Sequence, residues 1–246
     1  MKRVVRLALC STALTAMLIA TTACSQADSS EASRSETSDS AKSDFEENTV
    51  SDQNKALIGA VASEDIDAAR QALEAGADAD VRNSEGQPAV LTATRNRDSK
   101  LARLLLNAGA DPNAKDAIDD SAFLYAGAEG LDSILEATLE HGADVKSTNR
   151  YGGTALIPAS EHGHVSTVKI LLEAGVPVNH VNNLSWTALH EAIVLGSGGR
   201  DHIETVRLLI KGGADVTIPD GQGTLPEDLA ADKGFTEIVD LIQAAR

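Results

Sequence analysis

Three stretches with different hydrophobic patterning divide the chain. Leu7 to Ala20 is an unbroken, mostly apolar run, preceded by the positive charges of Lys2, Arg3 and Arg6. Residues 25–52 are almost without apolar positions: they hold nine serines and eight acidic residues against Arg34 and Lys42, with Phe45 the sole aromatic. From residue 53 onward apolar clusters return, and several come shortly before a glycine. Leu104, Leu105 and Leu106 precede Gly109; Ile170, Leu171 and Leu172 precede Gly175; Leu208, Leu209 and Ile210 precede Gly213. Apolar runs that end at a glycine read as helix C-termini, because glycine adopts the left-handed conformation by which a chain leaves a helix. The pattern predicts a succession of helix ends in this part of the chain.

The spacing of those glycines is regular. Gly-Ala-Asp begins at Gly76, Gly109 and Gly142, at one constant interval. The same interval again reaches Gly175, followed by Val176 and Pro177, and the next copy starts at Gly213, slightly later than the period places it. Other positions fall in phase: Thr154-Ala155-Leu156-Ile157 and Thr187-Ala188-Leu189-His190 open helices, and Gly163-His164 lies between two helices. This pattern resembles the ankyrin-repeat family, whose period is about 33 residues, and the resemblance covers 53–246. It implies an all-α solenoid of six stacked helix-turn-helix repeats, at about 53–80, 81–113, 114–146, 147–179, 180–217 and 218–246, joined by short β-hairpin fingers. Arg150 to Ala159 and Asn182 to Ala192 are similar to stretches in a group of bacterial ankyrin proteins.

Local chemistry supports that frame. Thr154, Thr187 and Ser121 are expected to cap first helices by accepting from a free backbone N–H. Pro158 falls in a first helical turn, where its missing N–H costs nothing. Asp119 stands where neighbouring repeats have Gly86 and Gly152, and aspartate tolerates positive φ better than most residues. Ser197 to Asp201 are expected to lengthen one inter-helix turn, which accounts for the late arrival of Gly213. Lys55 and Ala56 replace the Thr-Pro motif in the first repeat, as suits a cap. The last repeat is truncated, with a second helix expected from Phe235 to Ile242 and a polar outer face of Glu237, Asp240 and Gln243.

The N-terminal stretches read as an address and a tether. The apolar run from Leu7 to Ala20 is short for a membrane span and right for a signal-peptide core. Thr21, Thr22 and Ala23 lead to Cys24, and 1–23 followed by Cys24 resembles a bacterial lipoprotein signal, in which the cysteine is lipidated and becomes the new N-terminus. Thr21 departs from the family's preference for a large apolar residue there; the alternative is cleavage after Ala23 and a secreted or periplasmic product. Residues 24–52 are expected to stay disordered, because so polar a stretch buries too little apolar surface to offset ordering entropy. As a coil, they would hold the array roughly 30 Å from the membrane.

Composition narrows the function. The formal charge is −16, and removal of Lys2, Arg3 and Arg6 with the signal takes it to −19. So acidic a chain is repelled by phosphate backbones, which argues against a nucleic-acid partner. The only cysteines are Cys10 and Cys24, so the array has no disulfide, no catalytic cysteine and no cysteine-type zinc site. Glu161, His162 and His164 hint at a metal cluster, yet histidines two apart do not share a helix face. Gly196 to Gly199 lacks the lysine and preceding strand of a phosphate loop. No catalytic residue, metal or cofactor is expected.

The resemblance implies that fingers and first helices line a concave binding face. The fingers carry Arg82 and Glu85, Lys115 and Ile118, Arg150 and Tyr151, Leu184 and Trp186, Asp220 and Gln222. Exposed first-helix positions are Arg95, Tyr125, Glu129, Glu161, His162 and Glu191. Aromatics and arginines are the usual anchors of interfaces, so Arg95, Tyr125, Tyr151, Glu161, His162, Trp186 and Glu191 are the candidate partner-binding residues. The expected function is non-catalytic docking of another envelope or secreted protein by a monomeric array anchored outside the bacterial cytoplasmic membrane. The alternatives are binding of a small ligand or of cell wall, and, further off, a metal-dependent enzyme.

Overall fold

A computed structural model describes residues 51–246. The expected signal segment, Cys24 and nearly all of the tether lie outside the described residues. Helix α1 covers 51–62, so Ser51 and Asp52, which composition groups with the tether, are helical. The remaining helices are α2 (Ile66–Glu74), α3 (Ala89–Arg95), α4 (Ser99–Asn107), α5 (Ala122–Ala128), α6 (Asp132–Glu140), α7 (Leu156–Glu161), α8 (Val165–Glu173), α9 (Ala188–Val194), α10 (Arg200–Lys211), α11 (Pro226–Asp232) and α12 (Thr236–Ala244). They form six antiparallel pairs stacked side by side, odd-numbered helices in one layer and even-numbered helices in the other.

The stacking follows from which side chains recur. Ala93, Ala126, Ala159, Ala192 and Ala230 occupy the same place in successive first helices, and each is completely buried. A methyl group there lets neighbouring helices approach closely. The approach is especially tight at Gly127, where an added Cβ would lie 2.7 Å from the Cβ of Ala155. Second helices bring Leu105, Leu171, Leu209 and Ile242 to equivalent buried positions, with Thr138 taking the corresponding place in α6. Each repeat therefore completes the core of its neighbours, and none has a full core alone.

Helix termini largely follow the sequence, with corrections at Thr154 and at the insertion. Ser121 Oγ accepts from Leu124 N, and Thr187 forms a reciprocal cap with His190. Thr154 does not cap: α7 starts after Ala155, the Thr154 carbonyl accepts from Ile157 N, and its buried hydroxyl has no partner. Pro158 has no N–H to give the Thr154 carbonyl four positions back, so Ile157 N takes that carbonyl and is not left for the threonine hydroxyl. The insertion does not simply lengthen a turn. Residues 195–199 connect α9 to α10, and Arg200 and Asp201 join α10, which is longer than α4, α6 and α8. Asp119 does adopt positive φ, at 62°.

The fingers are not β-hairpins. Among the described residues the only bridge is an isolated one between Arg82 and Pro88. A repeated side-chain device shapes them instead. Asn83, Asp116, Asn149, Asn182 and Asp220 sit at equivalent positions, and the Oδ1 of each accepts from the backbone N–H groups two and four positions later. The N–H of each in turn donates to the carbonyl four positions on. These Asx turns close the finger without a ladder. They place the residue two after each Asx at the tip: Glu85, Ile118, Tyr151, Leu184 and Gln222.

Candidate functional site

Three central tips are apolar and exposed. Ile118, Tyr151 and Leu184 are 48%, 56% and 56% accessible, and they come from three consecutive fingers. The flanking tips, Glu85 and Gln222, are polar. Large apolar side chains thus stand in water in a row, with polar residues at either end.

Behind these tips, fingers and first helices enclose a concavity of about 320 Å³. Its apolar wall includes Leu124 and Ala128 from α5, Ile157 and Pro158 from α7, and Leu184 and Leu195. Its polar groups include Asp120, Glu129, Tyr125, Arg150 and Tyr151 towards one end, and Glu161, Asn182 and Glu191 towards the other.

The first end is internally neutralised. Arg95 bridges Asp116 at 2.8 Å and Asp120 at 3.2 Å, and Arg150 reaches Asp120 at 3.5 Å. Burial alone would raise the Asp116 pKa, but the amides of Asp120 and Ile118 and the Arg95 guanidinium outweigh it and hold the group below its ordinary value. Both tyrosines carry an arginine: the Arg95 Cζ lies 5.5 Å from the Tyr125 ring centroid, and the Arg150 Cζ 4.7 Å from that of Tyr151. Glu129 pairs with Arg97 at 2.7 Å.

The second end is not neutralised. Glu191 is only 4% accessible, a correction to its expected exposure on the first helix. Its Oε1 accepts from Asn182 Nδ2 at 2.9 Å, and its Oε2 has no hydrogen-bond partner. Burial, with the nearby Glu161 carboxylate, pushes its pKa up to about 7. Among the described residues no cation pairs with Glu161 or Glu191. Position along the helix separates the two carboxylates. Glu191 lies early in α9 and projects toward the Asx residue of its own finger, whereas Glu161 ends α7, in phase with Val194, and stays half-buried.

Of the residues expected to bind, Tyr125, Tyr151, Glu161 and Glu191 line one concavity, and Arg95 borders it through Asp120 and Tyr125. His162 and Trp186 lie outside it. His162 is exposed, and its ring meets that of His164 edge-on at 5.6 Å. Burial, followed by the charge of His162, lowers the His164 pKa. Trp186 is half-buried, and its N–H belongs to the Asn182 turn. Sequence reasoning missed Asn182 and Leu195 as part of this wall; the in-phase recurrence of Asn83, Asp116, Asn149 and Asn182 was the available signal. Among the described residues no group of three His, Cys, Asp or Glu side chains is placed to hold a metal ion. No described helix is long and apolar enough to cross a membrane.

Tyr151 and Leu184 are held by contacts between their fingers. Asn183 N donates to the Tyr151 carbonyl at 3.0 Å, and His180 Nε2 bonds the Gly152 carbonyl at 2.6 Å. Gly152 has a φ of +70°, and a Cβ there would lie 2.5 Å from Asn183 Oδ1, so a larger residue would have to adopt the strained left-handed backbone and displace the Asn183 side chain.

Comparison with known proteins agrees with this architecture. A sequence family described as "Ankyrin repeats (3 copies)" matches residues 123–220, and "Ankyrin repeat" matches 85–117. The crystal structure of an ankyrin repeat domain from Acinetobacter baumannii is similar at 51% identity with a TM-score of 0.76, over 77% of this chain and 96% of that one. Another ankyrin repeat protein of known crystal structure is 39% identical, with a TM-score of 0.74, over 76% of this chain and 96% of its own. The comparison with curated proteins returns no match. Ankyrin repeats generally mediate protein–protein contacts, and proteins built from them are typically scaffolds without catalysis. By sequence, by helix pairing and by these relatives, the chain belongs to the ankyrin-repeat family.

Proposed function

We propose that the protein is a docking scaffold of the bacterial cell envelope, held outside the cytoplasmic membrane by a lipid on Cys24, which binds another envelope or secreted protein through its concave face. The observation that carries the docking surface is the row of exposed apolar tips, Ile118, Tyr151 and Leu184, above a concavity walled by side chains. A partner covering these tips would bury apolar surface now in water, which is the main favourable term in association. The Asx turns hold the tips in fixed positions, so little ordering entropy is lost on binding. The positively charged start, the apolar run from Leu7 to Ala20 and the small residues before Cys24 support the anchor, and serine-rich 25–52 supports a spacer.

In-cell crosslinking followed by purification and mass spectrometry tests the docking. We expect an envelope protein captured by wild type and lost in a folded Tyr151→Ala, Leu184→Ala variant. Equal capture by that variant would remove the finger tips as the binding surface. Membrane fractionation of Cys24→Ser tests the anchor: the variant is expected in the soluble fraction, and its retention in the membrane would overturn lipid attachment at that cysteine.

A further inference from the structure

The acidic end of the concavity is a site whose chemistry is incomplete. Glu191 is almost wholly withdrawn from water, yet one of its two carboxylate oxygens has no partner. Buried polar atoms are nearly always hydrogen-bonded, because an unmet one forfeits its hydration. Glu161 lies on the neighbouring first helix and adds a second carboxylate to the same wall. The other acidic groups around the concavity are already engaged: Asp120 by Arg95 and Arg150, and Glu129 by Arg97. The arginines also occupy faces of both tyrosines. What remains is a local excess of negative charge at the end of a passage lined by Leu124, Ile157 and Leu195.

From this we infer that the Glu161–Glu191 end of the concavity is a subsite for the ammonium group of a lysine side chain, presented by the protein partner. The inference rests on the docking function proposed above and names the chemistry that part of the surface takes. A lysine fits both features of the site. Its four-carbon stem lies along the apolar wall, and its three N–H donors meet the Glu161 carboxylate on that wall and, once the side chains covering it give way, the buried Glu191 Oε2. A guanidinium is less suited, because it is a wide planar fork whose preferred stacking surfaces here already hold Arg95 and Arg150. Burial, and then the neighbouring Glu161, raise Glu191 to about 7 in the free protein, and a cation placed between the two carboxylates offsets both effects. The excess of acidic residues over the chain as a whole favours approach of a basic segment.

The test uses the full chain, purified in detergent and observed by two-dimensional NMR at pH 8 during titration with the blocked peptide acetyl-Gly-Lys-Gly-amide. Saturable shifts centred on Asn182, Glu191 and Glu161 are expected. The norleucine analogue, which keeps the stem and loses the charge, should give none. Glu191→Gln keeps an acceptor for Asn182 and should weaken the lysine peptide roughly tenfold. The arginine analogue should bind more weakly than the lysine peptide. Absence of saturable shifts at the cavity overturns the subsite, as does unchanged affinity in a folded Glu191→Gln protein. Free n-butylammonium binding as tightly as the peptide overturns the partner side chain as its occupant and assigns the site to a small amine. Failure here with a partner still captured by crosslinking through Tyr151 and Leu184 removes the subsite alone. Peptide binding without any captured partner removes the docking function.

Discussion

Where the loop after α4 meets the loop after α6, Asn113 reaches across the stack. Its Oδ1 accepts from Asp144 N at 2.7 Å and its Nδ2 donates to the Gly142 carbonyl at 3.2 Å. At the next joint, between the loops after α6 and α8, the equivalent positions are Lys146 and Pro177. Proline has no N–H to donate and lysine has no acceptor to offer, and among the described residues no such bond spans that joint. Asp80 to Asp111 N, and Asn179 to Asp215 N, repeat the first arrangement elsewhere. The two joints differ at their fingers as well. At the first, flexible side chains make the link, from Lys115 Nζ to the Thr148 carbonyl at 2.7 Å and from Arg150 to Asp120. At the second, Asn183 N donates directly to the Tyr151 carbonyl, the one backbone-to-backbone bond between neighbouring fingers among the described residues. His180 adds its bond to the Gly152 carbonyl. Two departures that look unrelated in sequence, Lys146 and the Val-Pro in place of Ala-Asp, are thus two halves of one missing hydrogen bond. The fingers carrying Tyr151 and Leu184 are tied to each other backbone to backbone instead.

The largest perturbation breaks both joints at once. Leu105 is completely buried between repeats. Leu105→Asp places a charge where no partner exists, and a cost above about 4 kcal/mol is expected. Circular dichroism should show the helical signal and the cooperative melt lost, and a native-like melt would refute the packing of the core.

Asn113→Ala attacks the first joint alone. It removes two hydrogen bonds and leaves a donor and an acceptor unmet at an exposed edge, for a loss of about 1–2 kcal/mol in urea unfolding. Lys146→Ala at the second joint is the matched control and should lie within about 0.5 kcal/mol of wild type. Equal losses from the two would mean that the bonded and unbonded joints do not differ.

Glu191→Gln probes the finger of the second joint through Asn182. The folded pKa of Glu191 is raised from 4.5 to about 7, so the folded protein holds this proton more tightly than the unfolded chain does. Stability from this group is therefore full below about pH 4.5 and falls as pH rises through 7. The glutamine variant should exceed wild type by about 1–2 kcal/mol at pH 8 and match it at pH 4.5. A difference independent of pH would exclude Glu191 as the titrating group.

The smallest effect sharpens the comparison by restoring what is missing. Lys146→Asn together with Pro177→Asp rebuilds the acceptor and the donor, and a gain of about 1 kcal/mol is expected in the double variant, with little from Lys146→Asn alone. An additive pair of small effects would show that the two positions do not meet across the joint.

The repeat, the number of helix pairs, the glycine exits and the positive-φ role of Asp119 were all legible in the residues, because each is a local requirement recurring at a fixed period. So was the general placement of Tyr125, Tyr151 and Glu161 on the concave face, since a constant phase carries a side chain from one repeat to the same place in the next. Thr154 as a cap was misread, because the nearby proline alters which amides are free. The division of the insertion between turn and helix also escaped, because glycines mark a break without saying where the next helix resumes.

Sequence by itself therefore determined that this chain stacks, in what order, and with which kind of residue at each layer. Only the tertiary structure decided how two neighbouring repeats divide their hydrogen bonds, and that Glu191 is buried with an unmet oxygen while Glu161, on the neighbouring first helix, remains half-buried. Periodicity describes one repeat at a time. Burial and pairing belong to the space between repeats, where the side chains of two turns and two helices compete for the same few ångströms.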